Sequence, residues 1–223
     1  MKYKSQLLTI AVMIIAIYSS AQITDHVGQA YKTVKIGTQE WMAENLNISH
    51  FNNGDSISEA KTIEEWEKAG TEGKPVWCYY GNNPENGKEL GKLYNWYAVN
   101  DSRGIAPKGW HVPSDIEWIK LTDTLGKMET IGKNMKSTTG WNYYEGRGGN
   151  GNNSSGFTAL PAGCRDDKGT FDRIGMNSFW WTTTEDDSYA SNAWCRGIYY
   201  GADIVARGNN KKGYGMSVRC IRN

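Results

Sequence analysis

From about residue 140 onward the chain turns to short extended segments, most of them set off by glycine. "GFTALPAGCRD" (156–166), "FDRIGMNSFWWTTTE" (171–185), "AWCRGIYY" (193–200), "DIVARG" (203–208) and "MSVRCIRN" (216–223) are such segments. Short strands at this spacing specify an antiparallel sheet. The stretch before them, "TTGWNYYEGRGGNGNNSSG" (138–156), is too dense in Gly, Asn and Ser for a regular element and reads as a long polar loop. With 26 Gly, 10 Trp and 13 Tyr, and with Ile, Leu and Val sparse, the composition suits a loop-rich fold held by aromatic rings and turns.

The clearest helix lies over 114–126. Ser114 followed by Glu117 forms a capping box, in which each side chain bonds a backbone N–H that the helix leaves free. Asp115 adds negative charge at the positive end of the helix dipole. Trp118, Leu121 and Leu125 fall on one face, Gly126 suits the stop, and Pro113 holds Val112 extended. A second short helix is expected within 56–70, carrying Ile63 and Trp66 one turn apart and stopped at Gly70. In "VKIGTQEWMAENL" (34–46), Val34 and Ile36 alternate as in a strand before a Gly-Thr turn.

The first residues, "MKYKSQLLTIAVMIIAIYSSAQ", follow a secretory plan: Lys2 and Lys4, an apolar run from Leu7 to Tyr18, then Ser19, Ser20 and Ala21 for cleavage. The run is too short for a spanning helix, which needs roughly 20 residues. The expected organisation is a signal peptide at 1–21, a short polar lead at 22–33 and one domain at 34–223, exported to the periplasm, cell surface or medium, with no transmembrane segment after cleavage. Removing Lys2 and Lys4 from the 25 basic residues leaves 23 against 24 acidic, so the chain has no electrostatic footprint for nucleic acid. Four cysteines, Cys78, Cys164, Cys195 and Cys220, are an even count in an exported chain and imply two disulfides, with three pairings open. None is close enough to another for zinc.

No nucleophile–base–acid set can be assembled. His111 stands in the extended lead-in to the 114–126 helix beside Trp110, where a packed, hydrogen-bonded role is expected, and His26 and His50 lie in polar segments.

These pieces together resemble the Fibrobacter succinogenes major paralogous domain family, found on exported proteins of Bacteroidetes and relatives. The resemblance is carried by "VKIGTQEWMAENLN" (34–47), "GKLYNWYAV" (91–99), "APKGWHVPSDIEW" (106–118), "SGFTALPAGCRD" (155–166), "FWWTTTE" (179–185) and "SVRCIRN" (217–223), in the family's order. It implies an α+β, C-type-lectin-like fold related to the formylglycine-generating-enzyme branch. "HVPSDIEW" is similar to that branch's Leu-Pro-Thr-Glu-x-Glu-Trp helix start. The implied fold has two helices packed on small antiparallel sheets, long irregular loops, and terminal strands that pair, here "VKIG" and "SVRCIR". The resemblance also implies a disulfide-stapled frame, with Cys78 bridged to Cys220 and Cys164 to Cys195.

A rigid frame carrying a long polar loop points to a non-catalytic binding or cell-surface protein. The candidate surface is Trp141, Tyr143, Tyr144 and Arg147, joined by Asn152 and Asn153, for a carbohydrate or protein ligand. No cofactor is expected; Asp166, Asp167 and Asp172, and the run Glu185-Asp186-Asp187, are the candidate calcium carboxylates. The alternatives are a surface assembly component and a formylglycine-generating-type enzyme. The enzyme needs two closely spaced reactive cysteines that bind copper, and Cys195 and Cys220 do not match that spacing.

Overall fold

The computed structural model describes residues 22–25 and 27–223. The expected signal segment and His26 lie outside the described residues.

The capping box forms as expected. The helix spans Asp115–Leu125, Ser114 and Glu117 exchange both capping bonds, and Gly126 follows the last turn. Trp118 and Leu121 are fully buried. The other expected helix spans Ile63–Glu72, with a capping box between Thr62 and Glu65. It stops at Gly73 rather than Gly70, because Gly73 takes the left-handed conformation (φ 66°) that turns the chain out of the helix. Three shorter helices, Pro84–Leu90, Trp96–Val99 and Met128–Met135, add to the two expected.

The strands form small sheets, mostly antiparallel. One runs Gln22–Thr24, Ala30–Ile36, Gln39–Met42, Ile221–Arg222, Trp110–His111. The terminal segments do not pair with each other: Gln39–Met42 lies between them, with Val34 opposite Trp41 on one side and Ile221 opposite Trp41 on the other. The 22–33 lead joins this sheet as a hairpin, with Tyr31 buried and donating to Asp25 Oδ2 at 2.9 Å. The second sheet runs Phe171–Ile174, Ala162–Arg165, Asn177–Glu185, Asn192–Tyr199, Val205–Lys211, from the segments that glycine punctuation marks out. A three-stranded sheet of Ser58–Glu59, Val76–Cys78 and Leu93–Tyr94 completes the frame.

Aromatic rings make the central core. Trp118 meets Trp41 at 5.0 Å, Phe157 at 5.7 Å and Trp180 at 5.9 Å between ring centroids, in tilted and edge geometries. Asp115 ties the helix to the second sheet, pairing with buried Arg196 at 2.6 Å and with Arg207 at 3.0 Å. Beside these rings lies Arg219, fully buried and, among the described residues, in no direct ion pair, with the Glu44 charge acting on it only from a distance. Its guanidinium donates to the carbonyls of Phe157, Thr158 and Met42 and to Asn45 Oδ1. Burial pulls its pKa down to about 9, which still leaves it charged at neutral pH. Removing it would orphan these acceptors in the core. We therefore expect Arg219→Met to cost about 3 kcal/mol or more in urea unfolding; a loss under about 1 kcal/mol would show that the cation is dispensable.

The expected disulfides are not formed: all four cysteines are free and buried. Cys78 packs in a cluster with Trp66 and Leu93, while Cys220 belongs to a different cluster with Tyr94 and Val218. Cys164 and Cys195 lie on strands separated by the whole of Asn177–Glu185. Two strand spacings make about 10 Å, beyond the reach of a disulfide. Each thiol serves as a small apolar side chain. Titration with a thiol reagent should find none reactive in the native protein and four in denaturant without reductant; two or fewer in denaturant would restore a disulfide.

Candidate binding groove

The second sheet carries two cavities that share Asp172, Arg173 and Tyr199. The wider, about 800 Å³, runs past Met176, Tyr200 and Glu145. The narrower, about 300 Å³, is walled by Phe179, Tyr214, Met216 and Cys164, with Asn210 at its side. Both volumes fall in the usual range of ligand sites.

Glycine shapes this groove at two points. Gly197 faces Phe179 across the sheet, and a Cβ there would lie 3.2 Å from the Phe179 ring and 3.0 Å from the Tyr199 hydroxyl. Its absence lets the Phe179 and Tyr199 rings meet edge to face at 5.9 Å. At Gly148 a Cβ would come within 2.6 Å of Tyr200, so the small hairpin Tyr143–Tyr144 with Arg147–Gly148 can close on that residue and form one wall. Burial pushes the Tyr199 and Tyr214 hydroxyls up, and it raises the Cys164 thiol to about 12. At neutral pH these three groups are protonated and uncharged. A third cavity of about 520 Å³, beside the Ile63–Glu72 helix, is lined by charges already spent on one another, Lys168 with Glu67 at 3.3 Å and Lys211 with Asp167 at 2.8 Å.

The 138–156 stretch, expected to be loop throughout, holds this hairpin and supplies part of the groove, but not by all the residues the sequence suggests. Trp141 is core: it is 5 % exposed, and its Nε1 donates to Ala159 O at 2.9 Å and Ser137 Oγ at 3.1 Å. Asn152 and Asn153 shape the loop, bonding Asn134 and Ser154, and Thr158, respectively. Tyr143 is free, at 70 % exposure on the hairpin. Tyr144 and Arg147 pair through their backbones, and their side chains lie outside the described residues. Arg173, Phe179, Tyr199, Tyr200 and Tyr214 escape sequence reading, although the alternation around "SFWW" and the doublet "YY" mark partly exposed aromatic positions.

The candidate calcium carboxylates are otherwise engaged. Asp166 Oδ1 accepts the N–H groups of Lys168 and Thr170 in a turn, Asp167 pairs with Lys211, and Asp172 pairs with Arg173 at 2.9 Å. In the second run, Glu185 faces Lys212 and Asp186 accepts from Ser188 and Asn209. Among the described residues no three His, Cys, Asp or Glu side chains converge as a metal site.

The lead-in histidine is fully used. His111 Nδ1 lies 2.7 Å from Asn223 Oδ1 and Nε2 lies 2.8 Å from Glu117 Oε1, so it ties the helix start to the last residue. Burial raises the Glu117 pKa, but hydrogen bonds from Ser114 and His111 outweigh it and hold the carboxyl below its ordinary 4.5. A group depressed on folding contributes stability that is complete above its unfolded value and is lost as pH falls through the folded one. Urea midpoints of wild type and Glu117→Gln should thus differ at pH 7 and converge as pH drops below about 4.5. A constant difference down to pH 3 would show that the Glu117 charge contributes nothing.

The fold is thus an α+β domain of curled antiparallel sheets with an aromatic-walled groove at one side. Residues 34–222 match the Fibrobacter succinogenes major domain, and the protein belongs to that family. No curated protein and no solved structure matches the chain.

Proposed function

We propose that this is an exported, non-catalytic binding protein of the cell surface whose ligand is a carbohydrate held in the groove of the second sheet. One observation carries the reading: two joined cavities are walled by partly exposed Tyr and Phe rings, with a guanidinium and a carboxylate at their junction. Aromatic faces stack on the C–H faces of sugar rings, and Arg and Asp offer the donors and acceptors that hydroxyl pairs require. The resemblance to the C-type-lectin-like fold belongs to this same reading, as does export, which rests on the charged and apolar pattern of residues 1–21. Among the described residues no helix is long and apolar enough to cross a membrane.

A glycan and polysaccharide array probed with the purified protein, in calcium and again in chelator, tests the proposal. Binding should be equal in both, because Asp166, Asp167 and Asp172 are engaged with backbone N–H groups, Lys211 and Arg173. Tyr199→Ala should weaken it about tenfold by removing a shared wall of both cavities. Silence across the array, or binding indifferent to Tyr199→Ala, would refute the site and shift weight to protein partners and surface assembly.

A further inference from the structure

Five non-glycine residues among those described have left-handed backbones: Asn82, Glu145, Asn153, Thr158 and Arg173. Asparagine tolerates this region, and the Thr158 carbonyl accepts from Arg219. The other two are charged, and both line the wider cavity of the groove. Glu145 (φ 49°) precedes Gly146 (φ 73°) in the two-residue turn of the small hairpin. Asn is the relaxed choice at that position. Arg173 has φ 68°, a value glycine adopts without strain. The Glu145 carboxylate makes no ion pair or hydrogen bond among the described residues. Arg173 is oriented by Asp172 at 2.9 Å, and by the Asn177 side-chain oxygen when that amide is turned to face it, yet it remains half exposed where the two cavities share their lining.

A strained residue persists where something other than stability retains it. We infer that Glu145 and Arg173 are the specificity-determining residues of the groove and that they select an uncharged oligosaccharide. This rests on the carbohydrate reading above. The charge balance among the described residues names the ligand class: Glu145, Asp166 and Asp172 line the groove against Arg173, so a glycan carrying carboxylates or sulfates meets net repulsion. A neutral chain does not. Its hydroxyls accept from the Arg173 guanidinium and donate to the Glu145 and Asp172 carboxylates, while its rings lie against Tyr199, Tyr200 and Phe179.

Two variants separate ligand recognition from folding, because each relieves strain. Arg173→Gly and Glu145→Asn should melt at or above the wild-type temperature. Each should also lose about tenfold or more in affinity, the scale of one charge-assisted hydrogen bond. The probes are neutral gluco-, manno- and xylo-oligosaccharides and the acidic oligogalacturonates, titrated by calorimetry. Wild type should bind a neutral probe and ignore the acidic ones. Variants that bind a neutral probe like wild type, or that melt lower with unchanged affinity, would overturn the roles of these two residues and leave the carbohydrate reading standing. Preference for oligogalacturonates would overturn the ligand class. Failure of wild type to bind any probe would overturn the carbohydrate reading and this inference with it.

Discussion

A buried cation in no direct ion pair among the described residues holds the centre of this protein. Placing a guanidinium in the core costs several kcal/mol, and Arg219 recovers it through hydrogen bonds to three carbonyls and an amide oxygen, each worth about 1.5–3 kcal/mol when one partner is charged. Three of those acceptors, on Asn45, Phe157 and Thr158, lie outside helix and strand, and the fourth, on Met42, is at the end of a strand. In a chain built of loops, buried carbonyls lack the ladder partners that a helix or a sheet would supply. Arg219 supplies them from one point.

The same device recurs. Arg165, also buried, donates to the carbonyls of Ala60, Thr62 and Gly169 and stacks on Trp66 and Phe171. Lys136 donates to the carbonyls of Ala202 and Tyr200 and lies over the Trp141 ring. Lys136 also lies 3.5 Å from the Asp203 carboxylate. Asp115 with Arg196 and Arg207 is built on a carboxylate, and it fixes the Asp115–Leu125 helix to the sheet that bears the groove. By holding Tyr200 from behind, Lys136 also fixes a wall of that groove.

What could be read in the sequence follows from range. The Ser114–Gly126 helix was legible because its cap, its face and its stop all lie within a dozen residues. The strands after 156 were legible from glycine spacing. The stop at Gly73 was not, since Gly70 is equally good local punctuation and only the backbone decides between them. Trp141 stands in a polar run that suggests exposure, and it is buried by Ala159 and Ser137, contacts the run itself does not announce. Arg219 and Arg165 look like surface charges in a one-dimensional reading, for their acceptors lie far along the chain. The four cysteines misled for a related reason: an even count in an exported chain speaks for bridges, but burial in separate apolar surroundings is a question of three dimensions.

The C-terminal strand has a consequence for how the molecule comes into being. Ile221–Arg222 sits inside the first sheet, between Gln39–Met42 and Trp110–His111, and Arg219 just before it reaches the acceptors of the core. Until these residues have been synthesised, the sheet has a gap in its middle and the core carbonyls have no donor. Pairing Ile221 with Trp41 joins segments about 180 residues apart in sequence, a long-range closure of the kind that makes folding slow.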